Sequence, residues 1–190
     1  MTKTHGSTAH VVDQFEAKDL GAPFKVFLHD CVKVVTDDDT GETLSYTIPD
    51  PDGLLRMVVL SRILERRRLS GPEMKFLRKA VGVMQKDVAK SIELTVEHLS
   101  KCEAGKLSMS ANSEKLLRIY LLKTAIKHHK IKDSEAKAKI EGFLDRVFDD
   151  APIGVHDPDD ELVFRFSRTP IVRASNDDDE PEYQLKSSCG

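Results

Sequence analysis

The chain has 190 residues, of which 39% are hydrophobic and 32% charged, with a net charge of −3. That length holds one or two small domains with a real core; no apolar run is long enough to cross a bilayer, the opening MTKTHGSTAH does not read as a signal peptide, and cysteines that are few and odd in number lead to the expectation of a reducing cytoplasm. Three widely spaced cysteines, Cys31, Cys102 and Cys189, argue against a disulfide framework, and no Cys-x-x-Cys or paired His/Cys spacing points to a metal.

Residues 1–20 are polar apart from Val11, Val12 and Phe15 and read as a flexible arm. Residues 21–50 form a small β-rich module. Phe24 to Leu28 and Val32 to Val35 are rich in strand formers, Asp37 to Gly41 is a turn signal, and Leu44 to Ile48 returns as another strand. An antiparallel hairpin or small sheet is expected, serving in sensing, dimerisation or partner binding, or completing the core. Pro49 to Gly53 breaks the chain and can cap a helix whose apolar stripe is Leu54, Leu55, Val58, Val59 and Ile63.

Between 71 and 105 three short helices are expected. Pro72 suits a helix start, and Met74, Leu77 and Val81 follow at helical spacing up to Gly82. The second runs from Gln85 to Ser91 with Val88, Ala89 and Ile92 turned inward. The third begins at Thr95, a good N-cap, with Leu99 and Cys102 facing the core. Two further helices follow: one from Glu114 to about His128, capped by Ser110 or Ser113, and one carrying Ile140, Phe143, Leu144 and Val147. The whole is mainly α with a small antiparallel β element, five to six helices filling 51–150. Residues 151–172 form an extension with a short strand at Leu162 to Phe166. Residues 173–190, with Asp177-Asp178-Asp179-Glu180, read as a disordered acidic tail.

Leu77-Arg78, Gly82, Gln85, Ala89, Leu94-Thr95, Leu99-Ser100-Lys101, Glu103 and Gly105 stand in the register of the Xre/Cro-type repressor helix-turn-helix, which this run resembles. Upstream, Ile48-Pro49-Asp50, Leu54-Leu55-Arg56 and Leu69-Ser70-Gly71 are similar to regulators with a helix-turn-helix like that of MqsA-type antitoxins. Four positions depart from the pattern. Met84 replaces a capping Ser or Thr, Glu93 replaces the turn Gly, Val96 stands where a polar residue is common, and Cys102 replaces an aromatic. A left-handed backbone at Glu93 would cost about 1 kcal/mol.

The resemblance implies a helix-turn-helix at 84–104 that binds double-stranded DNA as a homodimer, with no enzymatic activity and no cofactor. Charge is distributed accordingly: residues 56–130 hold 17 Lys or Arg against 7 Asp or Glu, and the remainder 12 against 25. Helix-forming preference of Lys and Arg gives the bland alternative. Gln85 and Lys86 at the start of the second helix suit a phosphate, as do Lys101, Lys106 and the cluster Arg66, Arg67, Arg68. Thr95, Val96, Glu97 and His98 lie where such a helix meets base edges: Val96 can touch a thymine methyl and Glu97 can accept from cytosine N4. Glu103 is expected to hold a helix end or pair with Arg78 rather than touch a base.

The leading expectation is therefore a DNA-binding transcriptional regulator, an autoregulating repressor, with an antitoxin version in which the sheet or tail binds a protein partner. The alternative is a helix-turn-helix-fold module that sequesters another regulator. No Gly-rich phosphate loop or nucleophile elbow supports an enzyme.

Overall fold

The computed structural model describes residues 6–128, 134–147, 161–170 and 183–189. The chain separates into two compact units, a sheet unit from residues 1–20, 24–54 and 162–190 and a helical unit from 21–23 and 55–161.

The sheet unit is organised on one long strand. β2 (Lys25–Asp37) pairs along its length with β1 (Ser7–Glu16) on one side. On its other side its first half pairs with β4 (Val163–Pro170) and its second half with β3 (Thr43–Thr47); β5 (Tyr183–Cys189) extends the sheet beyond β4. β2 and β4 run parallel, in register from Lys25↔Val163 to His29↔Ser167, so the sheet is mixed and not the antiparallel element expected. A parallel neighbour needs a long crossover, here the entire helical region, and short-range strand signals carry no trace of it.

Two further differences share a physical cause. The two strand runs at 24–28 and 32–35 are one strand, carried across a β-bulge in which Asp30 and Cys31 lie opposite Asp13, with Asp30 in the left-handed region at φ 54°. Where a flexible arm was expected, Ser7–Glu16 is the strand β1; most of its side chains are exposed, so pairing and not an apolar pattern defines it. Likewise Tyr183–Cys189, within the expected disordered tail, pairs antiparallel with β4. The rest of that tail, 173–182 and 190, and residues 151–160 and 171–172 of the extension lie outside the described residues.

Alternate residues of β2 are buried on each side of the bulge, Val26 and Leu28 before it and Val32 and Val34 after it; Val26 and Leu28 lie in register with the buried Phe164 and Phe166. Phe24 meets Phe164 edge-on with ring centroids 5.2 Å apart. The turn into β3 is closed by Asp37, whose Oδ1 accepts from the N–H groups of Asp39 and Thr40 at 2.9 Å each. Those backbone donors hold its carboxyl below the usual carboxylate value.

The helical unit contains α1 (Pro51–Leu64, whose first residues belong to the sheet unit), α2 (Gly71–Ala80), α3 (Gln85–Ser91), α4 (Val96–Glu103), α5 (Ala111–His128) and α6 (Ser134–Arg146). Asp50 starts α1, its Oδ1 accepting from Gly53 N at 2.8 Å. Ser70 and Glu73 form a capping box on α2. Ser110 rather than Ser113 opens α5, since Ser113 N donates to Ser110 Oγ at 3.1 Å. A single apolar core joins these helices, with Ile63, Leu77, Val88, Leu99, Leu117 and Leu121 at its buried centre. No helix among the described residues is long and apolar enough to cross a membrane.

Candidate functional site

α3 and α4 are joined by the turn Ile92–Thr95. Val88, Ala89 and Ile92 fix the inner face of α3, while Leu99 and Cys102 fix that of α4. In the turn Glu93 adopts φ 57°, the left-handed conformation in which a side chain other than glycine is disfavoured. Thr95 then caps α4, its Oγ1 accepting from His98 N at 3.1 Å. α3 has no such cap: Met84 occupies the N-cap position with extended backbone and no side-chain hydrogen bond.

With its inner face fixed, α4 turns Thr95, Val96, Glu97, His98, Ser100 and Lys101 to the surface. Val96 is 46% exposed. Glu97 and Lys101, one helical turn apart, form an ion pair with Nζ 2.7 Å from Oε1. Lys86, Lys90 and Lys106 are also exposed.

Behind this surface lies a buried polar hub. Glu103, at the end of α4, accepts from Arg78 Nε at 2.6 Å and Nη2 at 2.9 Å, and from Gln85 Nε2 at 3.0 Å. Arg78 Nη1 also donates to Val83 O at 3.0 Å. One carboxylate therefore ties together α2, the start of α3 and the end of α4. Of the two roles expected for Glu103, holding a helix end or pairing with Arg78, the structure has the pair. The hydrogen bond and charge of Glu103 raise the Arg78 pKa despite the opposing effect of burial. Gln85, expected to hold a phosphate, instead directs its amide N–H at Glu103.

α2 reaches α4 by backbone as well. A Cβ placed on Gly71 would lie 2.4 Å from Cys102 O and 2.9 Å from Glu103 O, so the first residue of α2 rests directly against the last turn of α4. Only glycine permits that approach.

The Arg66-Arg67-Arg68 cluster divides. Arg66 is exposed. Arg68 turns inward, with Nε 3.4 Å from Glu114 Oε2 and Nη2 donating to Met109 O. The carbonyl of Arg67 accepts from two buried guanidiniums, Arg62 Nη1 at 3.0 Å and Arg118 Nη2 at 2.6 Å. These belong to an ion network absent from the sequence reading. Arg62 pairs with Glu73 through contacts of 2.8 and 3.0 Å and also donates to Arg68 O. Arg118 pairs with Glu114 and donates to the carbonyls of Ile63 and Glu65. Glu114 in turn accepts from Leu69 N at 2.9 Å. The segment between α1 and α2 is thus held from within by Arg62, Glu73, Glu114 and Arg118, all 0–5% exposed.

Burial lowers the Arg118 pKa against the opposing charge of Glu114. A signal for this network does exist in the sequence. Glu114 and Arg118 are i and i+4 on the same helical face as Leu117, Leu121 and Ala125, where an ion belongs only if its partner is buried with it.

Among the described residues no group of three or more His, Cys, Asp or Glu is placed to hold a metal ion. No protein-family model, curated protein or solved structure matches the chain.

Proposed function

We propose that this chain is a sequence-specific DNA-binding transcriptional regulator in which α3 and α4 act as a helix-turn-helix. α4 enters the major groove, and the protein works as a homodimer that represses its own promoter. The observation that carries this reading is the two-sided character of α4. Leu99, Cys102 and Glu103 are locked into the core, while Thr95, Val96, Glu97, His98 and Lys101 face outward from a capped, rigid first turn. Side chains near the start of such a helix reach base edges. Lys86, Lys90 and Lys106 around it supply charge for phosphates, and Arg66 adds to the same positive excess. Thr95 uses its hydroxyl oxygen as the helix cap and keeps its O–H as a donor for a phosphate. A dimer would place two copies of α4 in half-sites about 34 Å apart.

The test is a titration of the purified protein against its own upstream DNA and against unrelated duplexes, at several salt concentrations. Specific binding is expected, with log affinity falling linearly in log salt and the slope shrinking by about 1 for each phosphate-contacting lysine replaced, Lys86→Ala and Lys106→Ala being the first.

A second reading, a protein-interaction module with the same helical architecture, is favoured by Met84 at 62% and Val96 at 46% exposure beside the acidic Glu97. Binding that is absent, or indifferent to DNA sequence, would select it.

A further inference from the structure

Two neighbouring residues in the first turn of α4 do not suit phosphate at all. Val96 has no hydrogen-bonding group and stands exposed. Glu97 carries a negative charge toward what is, on the reading above, a polyanion. Its charge is answered within the helix, since Lys101 Nζ lies 2.7 Å from its Oε1. A Glu–Lys pair of this kind approaches DNA as a neutral unit that still offers a carboxylate oxygen as an acceptor. In the major groove the apolar feature is the thymine 5-methyl group, and the base that matches an acidic side chain is cytosine, through its N4 amino group. Adenine also offers an amino donor, but its adjacent N7 is an acceptor that repels the second carboxylate oxygen.

We propose that α4 selects half-sites in which a thymine and a cytosine occupy neighbouring base pairs. Val96 covers the thymine methyl, and Glu97 accepts a hydrogen bond from cytosine N4. Lys101 acts as the positioning residue that neutralises Glu97 rather than as a phosphate contact. This rests on the DNA-binding reading and adds to it the chemical identity of the bases read.

The experiment is selection from a randomised duplex library by the full-length chain and by its Val96→Ala and Glu97→Gln variants, with affinities then measured on the enriched duplex. The parent chain should enrich adjacent T and C. Glu97→Gln should switch the cytosine position to adenine, whose N6 and N7 match a carboxamide. Replacing the thymine by deoxyuridine, which deletes only the methyl group and leaves the protein untouched, should weaken the parent about fourfold and Val96→Ala by clearly less. Lys101→Met should lower discrimination at the cytosine without altering that at the thymine. An enriched sequence lacking the T–C pair, or one unchanged in both variants, would overturn this assignment while leaving DNA binding intact. Failure to enrich any sequence would overturn the DNA-binding reading and this one together.

Discussion

The Arg78 guanidinium and the Glu103 carboxylate meet in a two-pronged pair, Nε to Oε1 at 2.6 Å and Nη2 to Oε2 at 2.9 Å, with both side chains nearly withdrawn from solvent. The pair joins α2 to α4 through residues 25 apart in sequence, and Glu103 also holds Gln85. Removing one member leaves the other charged and buried, which costs more than the pair contributes when intact. Glu103→Ala should therefore destabilise the chain by about 3 kcal/mol in urea unfolding. Arg78→Met combined with Glu103→Leu should recover much of that loss. A double-mutant cycle with no coupling between positions 78 and 103 would show the contact to be incidental.

Glu73 makes a pH-dependent contribution whose sign is set by its partners. Burial pushes its pKa up, but the hydrogen bond and charge of Arg62 and the N–H of Ser70 outweigh it, and the carboxyl stays below its ordinary value of 4.5. A carboxylate depressed in the folded state stabilises fully above its unfolded pKa and loses that contribution as pH falls through the folded value. The urea midpoint should drop as pH is lowered below about 4.5, with Glu73 contributing to the slope. Glu73→Gln should lower the midpoint at neutral pH and flatten its decline in acid. Equal slopes for variant and parent would exclude this role.

These two pairs mark where the sequence is legible and where it is not. α2, α3 and α4 could be read because Leu77, Val88 and Leu99 repeat at helical spacing and Thr95 supplies a cap, all local signals. Arg78 and Glu103 could be paired only through a resemblance that covers both positions. Arg62 carries no such signal, because an isolated arginine reads as surface and its partner Glu73 is 11 residues away, whereas Arg118 is marked only by Glu114 one turn before it on an apolar face; the burial of both depends on those carboxylates and on the loop carbonyls that the guanidiniums capture. β1 and the parallel β2–β4 pairing escaped for a related reason. Their register is decided across the sheet, from Val12↔Val32 to Phe166↔Leu28, and not along the strand. Thr95, Val96, Glu97, His98 and Lys101 are legible as the exposed face of α4 from its apolar spacing, but the Glu97–Lys101 pair and the engagement of Gln85 depend on side-chain geometry that spacing does not carry.

Gly71 tests how tightly α2 rests on α4. Gly71→Ala would put a methyl group 2.4 Å from Cys102 O, a backbone atom that cannot swing aside. Overpacking of this kind costs about 1–3 kcal/mol, and here the displaced backbone is the end of α4. Thermal unfolding should show a lower midpoint for Gly71→Ala, and hydrogen exchange should quicken first in Leu99–Glu103. An unshifted midpoint would mean that the two helices separate without penalty.

The turn and cap flanking α3 offer the opposite prediction, a gain in stability. Glu93 sits at φ 57°, where glycine is unstrained and a residue with a Cβ loses about 1 kcal/mol. Met84 holds the extended backbone of an N-cap, φ −79° and ψ 148°, without an oxygen to accept from the first turn of α3. Glu93→Gly and Met84→Ser should each stabilise the chain by about 1 kcal/mol. The first gain will be partly offset by the greater freedom of glycine in the unfolded chain. Met84 and Glu93 sit at opposite ends of α3 and address different backbone groups, so the two effects should add within a few tenths of a kcal/mol. Denaturant midpoints of the single and double variants measure this directly. If Met84→Ser lowers stability, the exposed methionine makes a contact that outweighs a missing cap, which would direct attention to Met84 as part of a binding surface.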